Sequence, residues 1–344
     1  KGYSLTGSLN HPVLTITSDE SGKPIFMWKI LEQIKKGDYA VIDRLEDNFW
    51  PEKRIELNKY FPIIKDKKTK LRILPNCLDK NLAFILASFL AEGSITNKKI
   101  EFCNTDENWI MELEKKWINL FPDSKLHKFK RNPSSYGKKD YYRLECHCLH
   151  TIEFLKNIGL SPVKSRAKTI PEIILHSPKE IVSEFIKTFY EGEGSLSNSK
   201  KTMELRLCST SEDIIRIMQI LLLRFGIDSF KRFDKHKNLH LLQIRGKRNF
   251  LRFYKEIGFL SNRKKTKLEL ITLLYKKDTS LKDRVPFVSD FIRNIAHSEF
   301  ISKNNFDLYS NMSKNYKTIS QIILKKTRID FNPLFEYFLT YQYL

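Results

Sequence analysis

Two short stretches interrupt the ordinary mixing of apolar and polar residues along this chain. FILASFLAEGS, from Phe84 to Ser94, and FIKTFYEGEGS, from Phe185 to Ser195, stand about a hundred residues apart. Each predicts a helix that is apolar almost all round, carries small residues four apart (Ala87 and Ala91; Thr188 and Gly192) and stops at an acid flanked by glycine. A helix without a polar stripe has to be buried, and small residues at that spacing let two helix backbones approach closely. Packed on each other, the two helices would deliver Glu92 and Glu193 side by side. Adjacent carboxylates repel unless a cation sits between them.

The flanks repeat as well. IEFCNTDENWIMEL from Ile100 and LRLCSTSEDIIRIM from Leu205 both read as a strand, a polar turn and a helix, and FLKNIGL (Phe154 to Leu160) matches FYKEIGF (Phe253 to Phe259). The expected fold is α+β, with two tandem αββαββα units in pseudo-twofold relation over residues 76–180 and 181–280. The N-terminal residues carry another signature. Leu5 to Thr17 predicts strand, turn and strand around Asn10-His11-Pro12, and Phe26 to Asp43 predicts a short amphipathic helix, a Gly37-Asp38 turn and a strand. Residues 51–75 are Lys-rich and aperiodic, as in a linker, and the pattern from Leu281 predicts a small helical module over residues 281–344.

Composition narrows the function. With 41% apolar and 29% charged residues the chain is globular, and a net charge of +21 calls for a polyanionic partner. Residues 224–277 hold 16 Lys and Arg against 4 Asp and Glu, interleaved with aromatics as in Phe230-Lys231-Arg232-Phe233. Such a stretch inside the second repeat predicts a folded surface that faces nucleic acid. Five unpatterned cysteines fit a reducing compartment. Cys146-His147-Cys148-Leu149-His150 invites a zinc reading, but no second ligand pair follows, and Leu144, Cys146 and Cys148 alternate as on the inner face of a strand. Without a signal-peptide pattern or an 18-residue apolar run, the expected location is intracellular and cytoplasmic, away from membranes.

Ile85-Leu86-Ala87-Ser88-Phe89-Leu90-Ala91-Glu92-Gly93 and Ile186-Lys187-Thr188-Phe189-Tyr190-Glu191-Gly192-Glu193-Gly194 resemble the paired motif of the LAGLIDADG homing endonucleases. The resemblance implies a monomeric, site-specific double-strand DNA endonuclease. It makes Glu92 and Glu193 catalytic metal ligands for Mg2+ or Mn2+, because carboxylate-held metal ions supply the nucleophilic water and the charge sink that phosphodiester hydrolysis needs. It also implies one lysine per repeat past the Ile-Gly helix end: Lys164 in the first, and Lys264, with Lys265 nearly equal, in the second. Glu191 is read as a capping or packing residue.

Base readout is expected from the outward side chains of the strands. Leu205 and Leu207 facing inward put Arg206 outward; Leu144 and Cys146 do the same for Arg143 and Glu145, and Leu242 and Ile244 for Gln243 and Arg245. Lys128, Lys130, Lys231, Arg232 and Lys247 add charge to this DNA-binding set. Because the halves differ at these positions, the target should be long and asymmetric.

The first 45 residues resemble the all-β protein-splicing (Hint) domain of inteins, with Ser8 and His11 standing for a Thr-x-x-His motif before a proline and Gly37-Asp38 closing the later segment. This makes residues 1–75 a partial splicing domain and linker, and makes flanking host-protein (extein) segments the natural neighbours of a full-length intein. His11 would protonate the departing amide. With Lys1-Gly2-Tyr3 at one end and Tyr341-Gln342-Tyr343-Leu344 at the other, the chain is not expected to splice. The rival functions are a non-catalytic LAGLIDADG-like DNA-binding regulator and an RNA-splicing maturase. A chain of this charge that neutralises many phosphates should lose affinity for random duplex steeply with salt. Binding measured over a salt series tests this, and a log-log slope near zero would point the basic surface at something other than DNA.

Overall fold

The structure is a computed structural model that describes residues 2–20, 22–42, 50–51, 54–63, 69–133, 139–198, 203–274 and 286–287. Apart from Pro286 and Phe287, the helical module expected over residues 281–344 lies outside the described residues. The chain divides into two compact units, Ser4–Leu45 with Asp278–Leu344, and Lys1–Tyr3 with Glu46–Lys277.

The smaller unit contains a three-stranded sheet in the order β2-β1-β3, with β1 at Pro12–Ser18, β2 at Pro24–Ile30 and β3 at Tyr39–Ala40. Phe26–Ile30, expected to be helical, is extended and pairs with β1 from Ile16 opposite Phe26 to Pro12 opposite Ile30. Its aromatic and β-branched residues suit a pleated surface, and helix survives only as the single 3-10 turn Leu31–Gln33. Of the two strands expected between Leu5 and Thr17, the second forms as β1 and the first, before the turn, is not a strand. Before it, His11 closes a turn by donating its backbone N–H to the Ser8 carbonyl at 3.0 Å.

The larger unit runs through the expected element order twice. The first pass is α1 (Lys80–Glu92), β4 (Gly93–Ile95), β5 (Ile100–Asn104), α2 (Glu107–Leu120), β6 (His127–Arg131), β7 (Tyr141–Cys146) and α3 (Leu149–Ile158). After the short α4 (Glu172–Leu175), the second pass is α5 (Lys179–Glu193), β8 (Gly194–Asn198), β9 (Met203–Ser209), α6 (Glu212–Arg224), β10 (Ser229–Asp234), β11 (Leu239–Ile244) and α7 (Lys247–Glu256), followed by α8 (Asn262–Leu274). Each pass builds an antiparallel four-stranded sheet of the same topology, β4-β5-β7-β6 and β8-β9-β11-β10. The polar turns before α2 and α6 serve as N-caps. Asp106 accepts from the backbone N–H groups of Asn108 and Trp109, and the Ser211 hydroxyl accepts from that of Ile214, each cap contributing about 1 kcal/mol.

Helices α1 and α5 pack along each other at the centre of this unit. Leu82 to Leu90 of α1 are all buried, and Phe89 meets Phe102 of the sheet and Trp117 of α2 edge-on, with ring centroids 6.1 and 5.8 Å apart. The one hydroxyl buried in this run, Ser88, accepts from the Trp109 indole N–H at 3.0 Å. Residues 54–63 and 69–75, read as linker, contribute Leu57 and Leu74 to the same core. β7 ends at Cys146, so Cys148 leaves the strand alternation and sits at the N-cap of α3.

Helix gives way to strand without a linker at Gly93 and at Gly194. Their backbones are in ordinary regions (φ −108° and −90°), so the demand for glycine is one of space. A Cβ on Gly93 would lie 2.7 Å from both the Cα and the carbonyl oxygen of Phe89, and one on Gly194 would overlap the Tyr190 carbonyl. Gly93→Ala and Gly194→Ala should each destabilise the protein by about 1–3 kcal/mol, the usual cost of overpacking, as read from denaturant unfolding.

Candidate active site and nucleic-acid interface

The close approach of α1 and α5 determines where their last residues lie. Gly192 faces α1 so closely that a Cβ there would stand 3.1 Å from Ala91 Cβ and 3.2 Å from both Glu92 Cγ and Oε1. Glu92 and Glu193, the C-terminal residues of the two helices, are thereby brought together. Burial, followed by the charge of Glu92, pushes the Glu193 carboxyl up to about 7, against the pull of Lys168. Burial also holds Glu92 above the usual carboxylate range, opposed by Lys168 and Lys264.

Two lysines are anchored on the helix ends in matching fashion. Lys264 Nζ donates to the carbonyls of Tyr190 (3.3 Å), Glu191 and Gly194 (2.8 Å). Lys168 Nζ donates to those of Leu90 (2.9 Å) and Gly93 (3.0 Å). Both therefore grip the carbonyls two residues before and one residue after the acid. Burial lowers the pKa of each ammonium, and nearby carboxylates oppose the fall: Glu193 and Glu92 at Lys168, Glu191 and Glu92 at Lys264. Lys265 is exposed.

In the first half the expected lysine was Lys164; the structure leaves Lys164 on an exposed stretch and puts Lys168 in the place equivalent to Lys264. The 3-10 turn Ser165–Ala167 takes up the intervening residues, so counting from the Ile-Gly pair stops short. The Lys168 carbonyl accepts from the Ser211 hydroxyl at 2.6 Å, and the Leu175 carbonyl from Arg224 at 2.6 Å, which ties the connection between the halves to α6. Glu191 is buried and accepts from the backbone N–H groups of Leu260 (2.9 Å) and Ser261 (3.1 Å) and from the Ser261 hydroxyl (2.7 Å), capping the approach to α8.

Sheet register determines which side chains leave the helix-covered face. Ile100, Phe102, Leu144, Leu205, Leu207, Leu242 and Ile244 are fully buried, so their alternates point the other way. Glu101 stands opposite Glu145, Cys103 opposite Arg143, and Arg206 opposite Gln243. Arg232 lies opposite Leu241 and shares this outer face. Lys128 and Lys231 do not. They lie opposite Leu144 and Leu242, on the helix side, where they pair with Glu114 of α2 (3.0 Å) and Glu212 of α6 (3.2 Å). Lys130, opposite Tyr142, shares their face and pairs with Asp140 at 3.5 Å. Lys247 opens α7. The edge strand β6 presents His127 and Phe129 to the outer face, a contribution the sequence hid because all five residues of β6 are exposed. His11 belongs to the smaller unit and is exposed.

Residues 81–160 match the model of the WhiA LAGLIDADG-like domain, and residues 180–258 match the model of the LAGLIDADG-like domain. Two stretches of the chain, one in each pass through the repeated element order, are thus similar to LAGLIDADG-like domains. Among curated proteins, the chain is 24% identical over 305 residues to a DNA gyrase component of Mycobacterium kansasii, covering 88% of this chain and 50% of that protein. It is 28% identical over 268 residues to the DNA-directed RNA polymerase component Rpo1C of Methanocaldococcus jannaschii, covering 77% and 28%. It is 32% identical over 179 residues to the glutamine--fructose-6-phosphate aminotransferase of the same organism, covering 50% and 16%. The chain thus spans half or less of the length of each of these relatives. Solved structures similar to it include I-DmoI in complex with DNA and Mn (16% identity, 52% of this chain and 96% of that one, TM-score 0.39) and full-length DUF199/WhiA from Thermatoga maritima (14%, 65% and 68%, TM-score 0.40). Among the described residues no helix is long and apolar enough to cross a membrane.

The acid pair at the ends of α1 and α5 has a measurable signature. Folded Glu193 holds its proton up to about pH 7, whereas the unfolded chain releases it near 4.5. Between those values the folded state binds more protons, so stability should fall as pH rises through the window. Thermal melts from pH 4 to 8 should show that fall, and Glu193→Gln should remove it.

Proposed function

We propose that this protein is a site-specific, metal-dependent double-strand DNA endonuclease of intein origin. The observation that carries the reading is the pair of carboxylates at the adjoining ends of α1 and α5, each beside a carbonyl-anchored lysine. Their donor set is hard oxygen, which suits Mg2+ or Mn2+; among the described residues no larger group of His, Cys, Asp and Glu competes for an ion. Glu92 and Glu193 would hold such ions, which when bound supply an activated water and a sink for phosphorane charge. Lys168 and Lys264 keep positive charge beside the acids at fixed positions, where it can meet the scissile phosphates. The outer sheet faces, with Arg143, Arg206, Arg232 and Arg245, would lie along double-stranded DNA. The sequence difference between the halves supports an asymmetric target.

The intein origin draws support from the names of the relatives. A gyrase, a polymerase and an aminotransferase share no chemistry, yet each contains a stretch similar to this chain. An element inserted into unrelated host genes explains that distribution, and His11 in its turn before β1 is the residue we assign to the splicing-like part. A second reading, a DNA-binding regulator without cleavage, is favoured by the match of residues 81–160 to the WhiA LAGLIDADG-like domain.

Target plasmid incubated with Mg2+ separates the two readings. The wild-type chain should linearise it, while Glu92→Gln and Glu193→Gln should stop cutting and keep DNA binding near the wild-type level. Binding without cleavage by the wild-type protein would select the regulator. Lys168→Met should lower the cleavage rate by about 10- to 100-fold, the scale of one lost electrostatic contact in a partly buried site, and Lys164→Met should leave it unchanged. Equal loss from both would take the first-half lysine role away from Lys168.

A further inference from the structure

The outer faces of the two sheets carry polar clusters at the same four places, and at two of them the sign of the charge is inverted. Aligning Cys103 with Cys208 and Leu144 with Leu242 makes Lys99, Glu101, Glu145 and His147 of the first half equivalent to Glu204, Arg206, Gln243 and Arg245 of the second. In the first half, Lys99 reaches Glu101 at 2.5 Å and Glu145 at 3.5 Å, and Glu145 also meets Arg143 at 3.0 Å and His147 at 3.4 Å. In the second half a single carboxylate, Glu204, gathers the cluster. It accepts from Arg206, from Arg245 Nε (3.2 Å) and Nη2 (2.8 Å), and from Gln243 Nε2 (3.0 Å).

Exposure separates the partners. The Glu204 side chain is 4% exposed, against 38% for Arg206 and 47% for Arg245, so the acid forms a floor and the two guanidiniums remain open to solvent above it. Burial alone would raise the Glu204 carboxyl, but the hydrogen bonds from Arg245 and Arg206 outweigh it and hold the group below the usual carboxylate range. A carboxylate on a face that meets DNA weakens attraction to phosphate. What it supplies is geometry, because a guanidinium is a planar fork and reads guanine bidentately only when its plane is held.

Resting on the reading that this face meets DNA, we propose that Glu204 is a positioning residue for base recognition. It holds Arg206 and Arg245 next to each other so that their free N–H groups address guanine edges in one half of the target. The first half, with carboxylates at the places of Arg206 and Gln243, lacks this arginine pair and acts as an internal control.

The test is selection from a randomised duplex library followed by sequencing, with the wild-type chain, Glu204→Gln and Arg245→Lys. The wild-type protein should enrich guanine at a few neighbouring positions confined to one half of the selected site. Glu204→Gln should reduce discrimination at those positions about ten-fold, the scale of one bidentate arginine contact, and leave the other half of the site intact. Its affinity for unselected duplex should stay level or rise, since a negative charge has gone, whereas a merely structural role would weaken binding everywhere. If Glu204→Gln fails to fold in a thermal melt, Arg245→Lys, which keeps the charge and loses the fork, should flatten the same positions. Unchanged discrimination in a folded Glu204→Gln variant, sharper discrimination, or uniform weakening across both halves would overturn the proposal alone. Failure of the wild-type chain to bind any duplex would overturn the proposed function as well.

Discussion

The larger unit depends on how closely α1 and α5 can approach. Gly192 lies so close to Ala91 and Glu92 that even a Cβ would crowd them, and that contact decides three things together. It buries an apolar seam between the two domains, it makes the last residue of each helix a neighbour of the other, and it forces two like charges into one place. A wider spacing would relax the repulsion and lose the seam. The Glu193 carboxyl is raised first by burial in that seam and then by the charge of Glu92.

Anchored lysines are the second part of the same arrangement. The final carbonyls of a helix have no partner within it, and they usually turn to water or to a capping residue. Here Lys168 and Lys264 take them, which also suits the negative end of the helix dipole. Each ammonium is thus held chiefly by backbone carbonyls near Glu92 and Glu193, and Lys264 also lies 3.8 Å from the Glu191 carboxylate. The matching carbonyl pattern in the two domains, two residues before and one after each acid, follows from the shared turn from helix into strand.

Much of this was legible in the sequence because it rests on periodicity. Apolar residues repeating at helical spacing around Leu86 and Phe189, and alternating from Ile100 and from Leu205, foretold the helix pair, the sheets and the outward direction of Arg206, Gln243 and Arg245. Three kinds of feature were hidden. Phe26–Ile30 is too short for its period to separate strand from helix, and pairing with β1 decided the matter. The edge strand β6 is exposed along its whole length, so nothing in its pattern revealed that Lys128 turns to α2 while Phe129 faces outward. Lys168 could not be distinguished from Lys164 because a 3-10 turn alters the residue count without changing composition. Glu204 went unremarked for a related reason: the alternation was read from Leu205, one residue after it.

The bonds from Ser211 to the Lys168 carbonyl and from Arg224 to the Leu175 carbonyl bear on modularity. By sequence repeat the first domain ends near residue 180, yet the stretch that presents its lysine is held in place by a helix of the second. The functional seam and the sequence seam therefore fall at different points of the chain. A recombinant or evolutionary exchange cut just before α5 would carry Lys168 away from the groups that fix its backbone, whereas a cut soon after Gly159 would keep lysine, tether and helix as one inherited block. The first half is in that sense an offset module, finished by the one that follows.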